Sequence, residues 1–214
     1  MKLGLREARR KAIVKAAYEV ITERGYDNTA MSDVTHRAGV AQGTLYRYVR
    51  SKRELVDHVF DYAVGRAVRA FDVRKIAEVN PAGYGDSIQL ARLFGERLFA
   101  LVDDDPGVVR MIIVEASAID PELRYRVMGL VSTMHARLAE VFQQAYPDKR
   151  ADGDRRTWDL LGRMVMGLAA PGLLMSMDRP ASRDLRAQYL DTVTDIAERG
   201  LMVGGAPGAQ GSGS

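Results

Sequence analysis

From Ile13 to Ile196 the apolar residues return every three or four positions, and no stretch alternates long enough to form a strand. That periodicity confines the 214-residue chain to an all-α architecture. Nine helices are predicted, at about 6–24, 30–38, 42–48, 51–74, 87–102, 106–118, 121–146, 155–177 and 182–202. Gly25 and Gly39 stop the first two in the position of a left-handed cap. Thr29 suits the start of the second, and Ser51-Lys52-Arg53-Glu54 reads as a capping box opening the fourth. Pro106 and Pro121 sit where a first helical turn accepts proline, whereas Pro171 should kink or end its helix. "EVNPAGYGDS" breaks the pattern and separates a head from a body. The expected division is a head over 1–55, a linking helix over 52–74, a body over 75–203 and a disordered Gly/Ser-rich tail over 204–214.

Charge is unevenly shared between these parts. Residues 1–55 carry twelve Lys/Arg against six acids, whereas the remainder carries 19 against 22. A basic head on a mildly acidic body suits a polyanionic partner, although a solvated charged surface accounts for the same numbers. The chain has no cysteine, which excludes disulfides and thiolate metal sites. It also lacks an apolar run of roughly 18 residues and a signal-peptide pattern, so a cytoplasmic protein with no membrane partner is expected.

Within the head, three helices with a Gly-containing turn between the second and third describe a helix-turn-helix. The turn "RAGVAQ" reverses the chain at Gly39. The next helix would then enter a DNA major groove, where Gly43 gives clearance for close approach to the base edges. Tight helix packing is the other account of Gly43. Gln42 suits bidentate pairing with adenine, and Thr44 offers a hydroxyl and a methyl. Tyr46, Arg47, Tyr48 and Lys52 are candidate phosphate donors. Lys52 opposes the dipole of its own helix, a placement that a nearby phosphate would relieve. Arg6, Arg9 and Arg10 are candidates to approach the neighbouring backbone, but solvated surface is the favoured account.

These residues carry a family resemblance. "NTAMSDVTHRAGVAQGTLYRYVRSKREL" resembles the DNA-binding signature of the TetR (tetracycline repressor) family of bacterial transcriptional regulators. The matching positions are Thr29, Val34, Ala38-Gly39-Val40, Gly43-Thr44-Leu45-Tyr46, Tyr48, Ser51-Lys52 and Glu54-Leu55. Ala41 departs from the family's Ser/Thr, which removes one expected backbone contact; Thr35 and Val49 depart from its Ala and Phe. The resemblance implies an N-terminal helix-turn-helix domain followed by a ligand-binding and dimerisation domain. It also implies a homodimer built from the last two long helices, for which Leu161, Val165, Leu168, Leu185, Tyr189, Val193 and Ile196 are the candidates. Gly162, Gly167 and Gly172 would let the helices of that bundle approach closely.

Seven of the ten methionines fall between Met111 and Met177. Methionine adapts to varied ligands but also fills ordinary cores. Candidate pocket residues are Phe94, Met111, Glu115, Met128, Met134, Trp158 and Met164. Glu115 interrupts an apolar run and needs a partner, for which Arg110 and Arg163 are available; a cationic ligand is the other reading. The expected function is a ligand-responsive repressor that binds a palindromic DNA operator as a homodimer and is released by a small, mostly apolar effector. The alternative is a DNA-binding activator or architectural protein without a ligand. No cofactor or metal is called for, and the three histidines show no catalytic or metal-ligand spacing, so an enzyme is not expected.

Overall fold

The computed structural model describes residues 2–70, 87–145, 155–178 and 183–203, and the predicted tail lies outside them. The described residues form nine helices and no strand. They are α1 (Lys2–Arg24), α2 (Met31–Ala38), α3 (Gln42–Leu45) and α4 (Lys52–Ala70), then α5 (Ser87–Asp104). A rod, α6, follows as Pro106–Val109, Arg110–Glu115 and Ala116–Ile119. The last three are α7 (Pro121–Ala145), α8 (Arg155–Asp178) and α9 (Arg183–Val203). Among them, no helix is long and apolar enough to cross a membrane.

The caps explain the boundaries and correct two expectations. Gly25 and Gly39 adopt φ of +85° and +62°, the left-handed region in which a Cβ is strained. Helix α2 is capped at Ala30, whose N–H donates to Asp33 2.8 Å away. Thr29 lies one residue earlier and is buried, its hydroxyl donating to the Gly25 carbonyl at 2.8 Å. At α4 one arm of the expected capping box forms, with Glu54 N donating to Ser51 Oγ at 3.1 Å. Glu54's carboxylate accepts from Arg50 N at 2.6 Å, one residue before the amide that the capping box calls for.

A continuous core runs from head to body. Ile13, Ala17, Ile21, Val34, Leu45, Val49, Leu55 and Val56 close the head, and Phe60, Ala63 and Ala67 carry the apolar face of α4 onward to Val108, Met111 and Ala116. Each of the Val, Leu, Ile, Phe and Met side chains among them contributes about 1.5–3 kcal/mol by burial. Helices α7 and α8 pack closely at Gly162, where a Cβ would lie 2.8 Å from the His135 carbonyl oxygen. Gly172 likewise faces Phe99 and Tyr189 of the same chain, whereas Gly167 meets nothing within 4 Å. Two of the three glycines expected at a dimer face therefore serve packing inside the protomer. Pro171 sits within α8 without ending it.

The rod α6 differs from the plain helix expected over 106–118. Its middle section, Arg110–Glu115, is π-helical. Met111, Ile112 and Glu115 are buried while Ile113 and Val114 face out. The carboxylate is thus on the inner face and two aliphatic side chains are on the outer one.

Candidate nucleic-acid interface

The reading segment is short. Helix α3 spans Gln42–Leu45 and tightens into a turn in which Arg47 N and Tyr48 N donate to carbonyls three residues back, at 3.2 and 2.9 Å. Leu45 and Val49 are buried and anchor the segment to the head core. Gln42, Gly43, Tyr46 and Arg47 are left exposed, with Thr44 and Tyr48 half-buried beside them. A Cβ at Gly43 would meet nothing within 4 Å, so packing inside the chain gives no reason for glycine there. Ala41 caps α3 without a side-chain hydrogen bond, as its missing hydroxyl dictates.

The remaining head candidates lie further back. Thr29 supports the α1–α2 turn from within. Lys52 Nζ stands 4.3 Å from the centroid of the Tyr26 ring and 3.4 Å from the Asp27 carbonyl oxygen, so it leans on that same turn.

Three polar ties join the head to the body. The Tyr18 hydroxyl donates to Asp105, whose other carboxylate oxygen lies 2.6 Å from Arg66 Nε. Burial, reinforced by Asp105, pushes the Tyr18 phenol well above its usual range. Tyr26 N donates to Glu115 Oε2 at 2.9 Å, and Arg110 Nε approaches Glu115 Oε1 at 3.4 Å. Arg163 pairs with Asp159 instead. The third tie is a network in which Arg53 of α4 meets Asp57, Asp120 and Glu122, and Arg126 of α7 meets Asp57 and Asp61. Asp120 also caps α7 by accepting from Leu123 N at 2.8 Å. That amide, and then Arg53, hold the Asp120 carboxyl below its usual range. The Asp-Pro pair opening α7 is a sequence signal for this cap; the partner 67 residues away carries none.

The body candidates do not converge on one site. Phe94, Met111 and Glu115 are buried, and Met134 is half-buried against the core. Met128 and Met164 are 61% and 64% exposed, and the Trp158 side chain lies outside the described residues. Of the dimer candidates, Leu185 and Ile196 are exposed, while Val165, Leu168 and Val193 are half-buried. The Tyr189 hydroxyl donates to the Leu168 carbonyl within the protomer, and its ring packs edge-on against Phe99. The Leu161 side chain lies outside the described residues. No group of three or more metal-ligating side chains forms among the described residues.

A helix-turn-helix with an exposed reading segment, tied by ion pairs to a helical body, is the architecture of a DNA-binding regulator. Residues 13–59 match the family of bacterial regulatory proteins, tetR family, and this match together with the relatives supports a transcriptional regulator of that kind. It is 27% identical over 179 residues to the HTH-type transcriptional activator FasR of Mycolicibacterium smegmatis, covering 84% of this chain and 78% of FasR. Its fold matches that of FadR from Bacillus subtilis, solved in complex with stearoyl-CoA, at a TM-score of 0.66 and 21% identity, covering 87% and 96% of the two chains. AibR, solved in complex with isovaleryl coenzyme A and operator DNA, matches at a TM-score of 0.60 and 18% identity, covering 88% and 97%. At these identities the structural likeness is one of fold.

Proposed function

We propose that this regulator is a repressor that binds a palindromic operator as a homodimer and releases it when an acyl-CoA thioester occupies the body. The observation that carries the DNA half is the exposed reading segment, with Gly43 open to solvent and no packing role. The effector half is supported by the acyl-CoA complexes of FadR and AibR and by the apolar, methionine-rich body. The domains would be those read from the sequence: a reading head over 1–55, a linking helix over 52–74 and an effector and dimer body over 75–203. An effector shifts the heads only by binding the two spacings with different affinity, typically by about 1–3 kcal/mol. The three head–body ties supply the mechanical connection.

A duplex selected from a random pool, labelled and titrated with the full-length protein, tests this by anisotropy. Isovaleryl-CoA and stearoyl-CoA are then added at saturating DNA occupancy. Release by either thioester, and not by free CoA, is the expected result. Unchanged occupancy across a chain-length series would rule out an acyl-CoA effector. Tighter binding would favour the second reading, an activator, which the likeness to FasR supports.

A further inference from the structure

We propose that the first turns of α1 form a second DNA-contacting element, in which Arg6, Arg9 and Arg10 hold the phosphate backbone beside the bases faced by α3. The proposal rests on the DNA-binding reading above and adds to it residues outside the helix-turn-helix.

The arginines of the head and linking helix divide by position. Arg24, Arg37, Arg53 and Arg66 each have a carboxylate within 4 Å, at Asp33, Glu23, Asp57 and Asp105. Arg6, Arg9, Arg10, Arg47, Arg50 and Arg69 have no such partner among the described residues, and all six are exposed. Apart from Arg69 near the end of α4, the uncompensated arginines all lie on the first turns of α1 or beside α3.

The same side chains line two adjoining concavities that share Arg6 and Tyr48. One, of about 300 Å³, has Arg10, Arg47 and His58 on its walls, with Glu7 as its one acid. The other, of about 430 Å³, sets Leu5 and Arg9 across from Ala41 and Thr44. Two residues of the reading segment, Thr44 and Tyr48, thus form one wall of a groove whose opposite wall is α1. A strand passing the start of α3 would run directly between them. Cations grouped in a concave surface attract a polyanion more strongly than the same charges spread on a flat one.

Helix stability gives no reason for this placement. The first turn of α1 contains no acid to complement the positive end of the helix dipole, and Arg6, Arg9 and Arg10 follow beyond its reach, where no helix-end interaction calls for them. A duplex is the occupant that fits, because the charge is continuous with the reading segment and both grooves are open and lined by arginines.

The test compares the full-length wild type with R6A/R9A/R10A and the charge-retaining R6K/R9K/R10K on the selected duplex. Affinity is measured across a salt series, and the contact boundaries are mapped by hydroxyl-radical footprinting. The alanine variant should shallow the slope of log K against log salt by about 2–3, since each phosphate contact contributes roughly 0.9. Its footprint should shorten at the edges with the preferred sequence unchanged, and the lysine variant should restore the slope. An unchanged slope and footprint in the alanine variant would overturn the proposal, as would an altered base preference. Unchanged DNA binding with lost binding to polyglutamate would overturn it too and assign the patch to an acidic protein. If the wild type binds no selected duplex, the DNA-binding reading itself fails, a result distinct from the others.

Discussion

At Gly43 the neighbouring atoms of the protein leave open space where a side chain would project. Glycine in a helical turn costs roughly 0.5–1 kcal/mol relative to alanine, so Gly43→Ala should leave the melting temperature unchanged or slightly raised. Affinity for the selected duplex should fall at least ten-fold; a variant that melts higher and binds equally well would remove the clearance role. Ala41 presents the converse case. It occupies the cap of α3 with no side-chain acceptor, and Ala41→Ser should stabilise the head by about 1 kcal/mol in thermal or denaturant unfolding. If the added hydroxyl also reaches a phosphate, binding tightens with a steeper salt slope. These roles were legible in the sequence because they depend on neighbours in the chain. Lys52 was less so: its stacking on Tyr26 depends on how α4 docks against the α1–α2 turn.

Among the elements, α6 departs furthest from its sequence pattern. An apolar run containing one carboxylate suggests a buried stripe with a flaw, yet Glu115 is inside and Ile113 and Val114 are outside. The reason is the Tyr26 amide, a head group that the carboxylate satisfies across 89 residues of sequence. The junction of α4 and α7 is similar in kind. Asp120 is held in its charged form by the Leu123 amide and by Arg53, so its folded-state pKa lies below the unfolded value. The resulting stabilisation is present in full above the ordinary carboxylate range and is lost as pH falls through the lowered value. Melting temperature should therefore drop on acidification below about pH 4, and Asp120→Asn should lower it at pH 7 while flattening that acid limb. An acid limb of unchanged steepness in the variant would show that other carboxylates govern it.

For the whole molecule, α8 and α9 leave large apolar side chains in solvent: Leu160, Met164 and Ile196 are each more than half exposed. A proposed dimer across these helices would cover them. Met164→Glu with Ile196→Glu should convert a dimer to monomers in sedimentation velocity, with little change in helicity, and weaken operator binding at least ten-fold, since two half-sites then bind independently. A dimer that persists would move the interface elsewhere. The substitutions act at exposed positions, so misfolding is not the expected cause of any loss. Met164 was a pocket candidate by composition, and only its position on the outer face of α8 distinguishes it from buried Met111.

The sequence by itself determined the all-helical class, the glycine-marked turns and the helix-turn-helix, and it named the residues proposed to face DNA. All of these follow from spacing and backbone preference within a few turns of chain. The tertiary structure decided which arginines are neutralised and which remain open, where Glu115 and Asp120 find their partners, and which methionines are buried. Those outcomes depend on pairs such as Arg37–Glu23, Arg53–Asp120 and Tyr26–Glu115, which are 14, 67 and 89 residues apart. No local periodicity encodes such pairings, because they exist only once α1, α4, α6 and α7 have packed together.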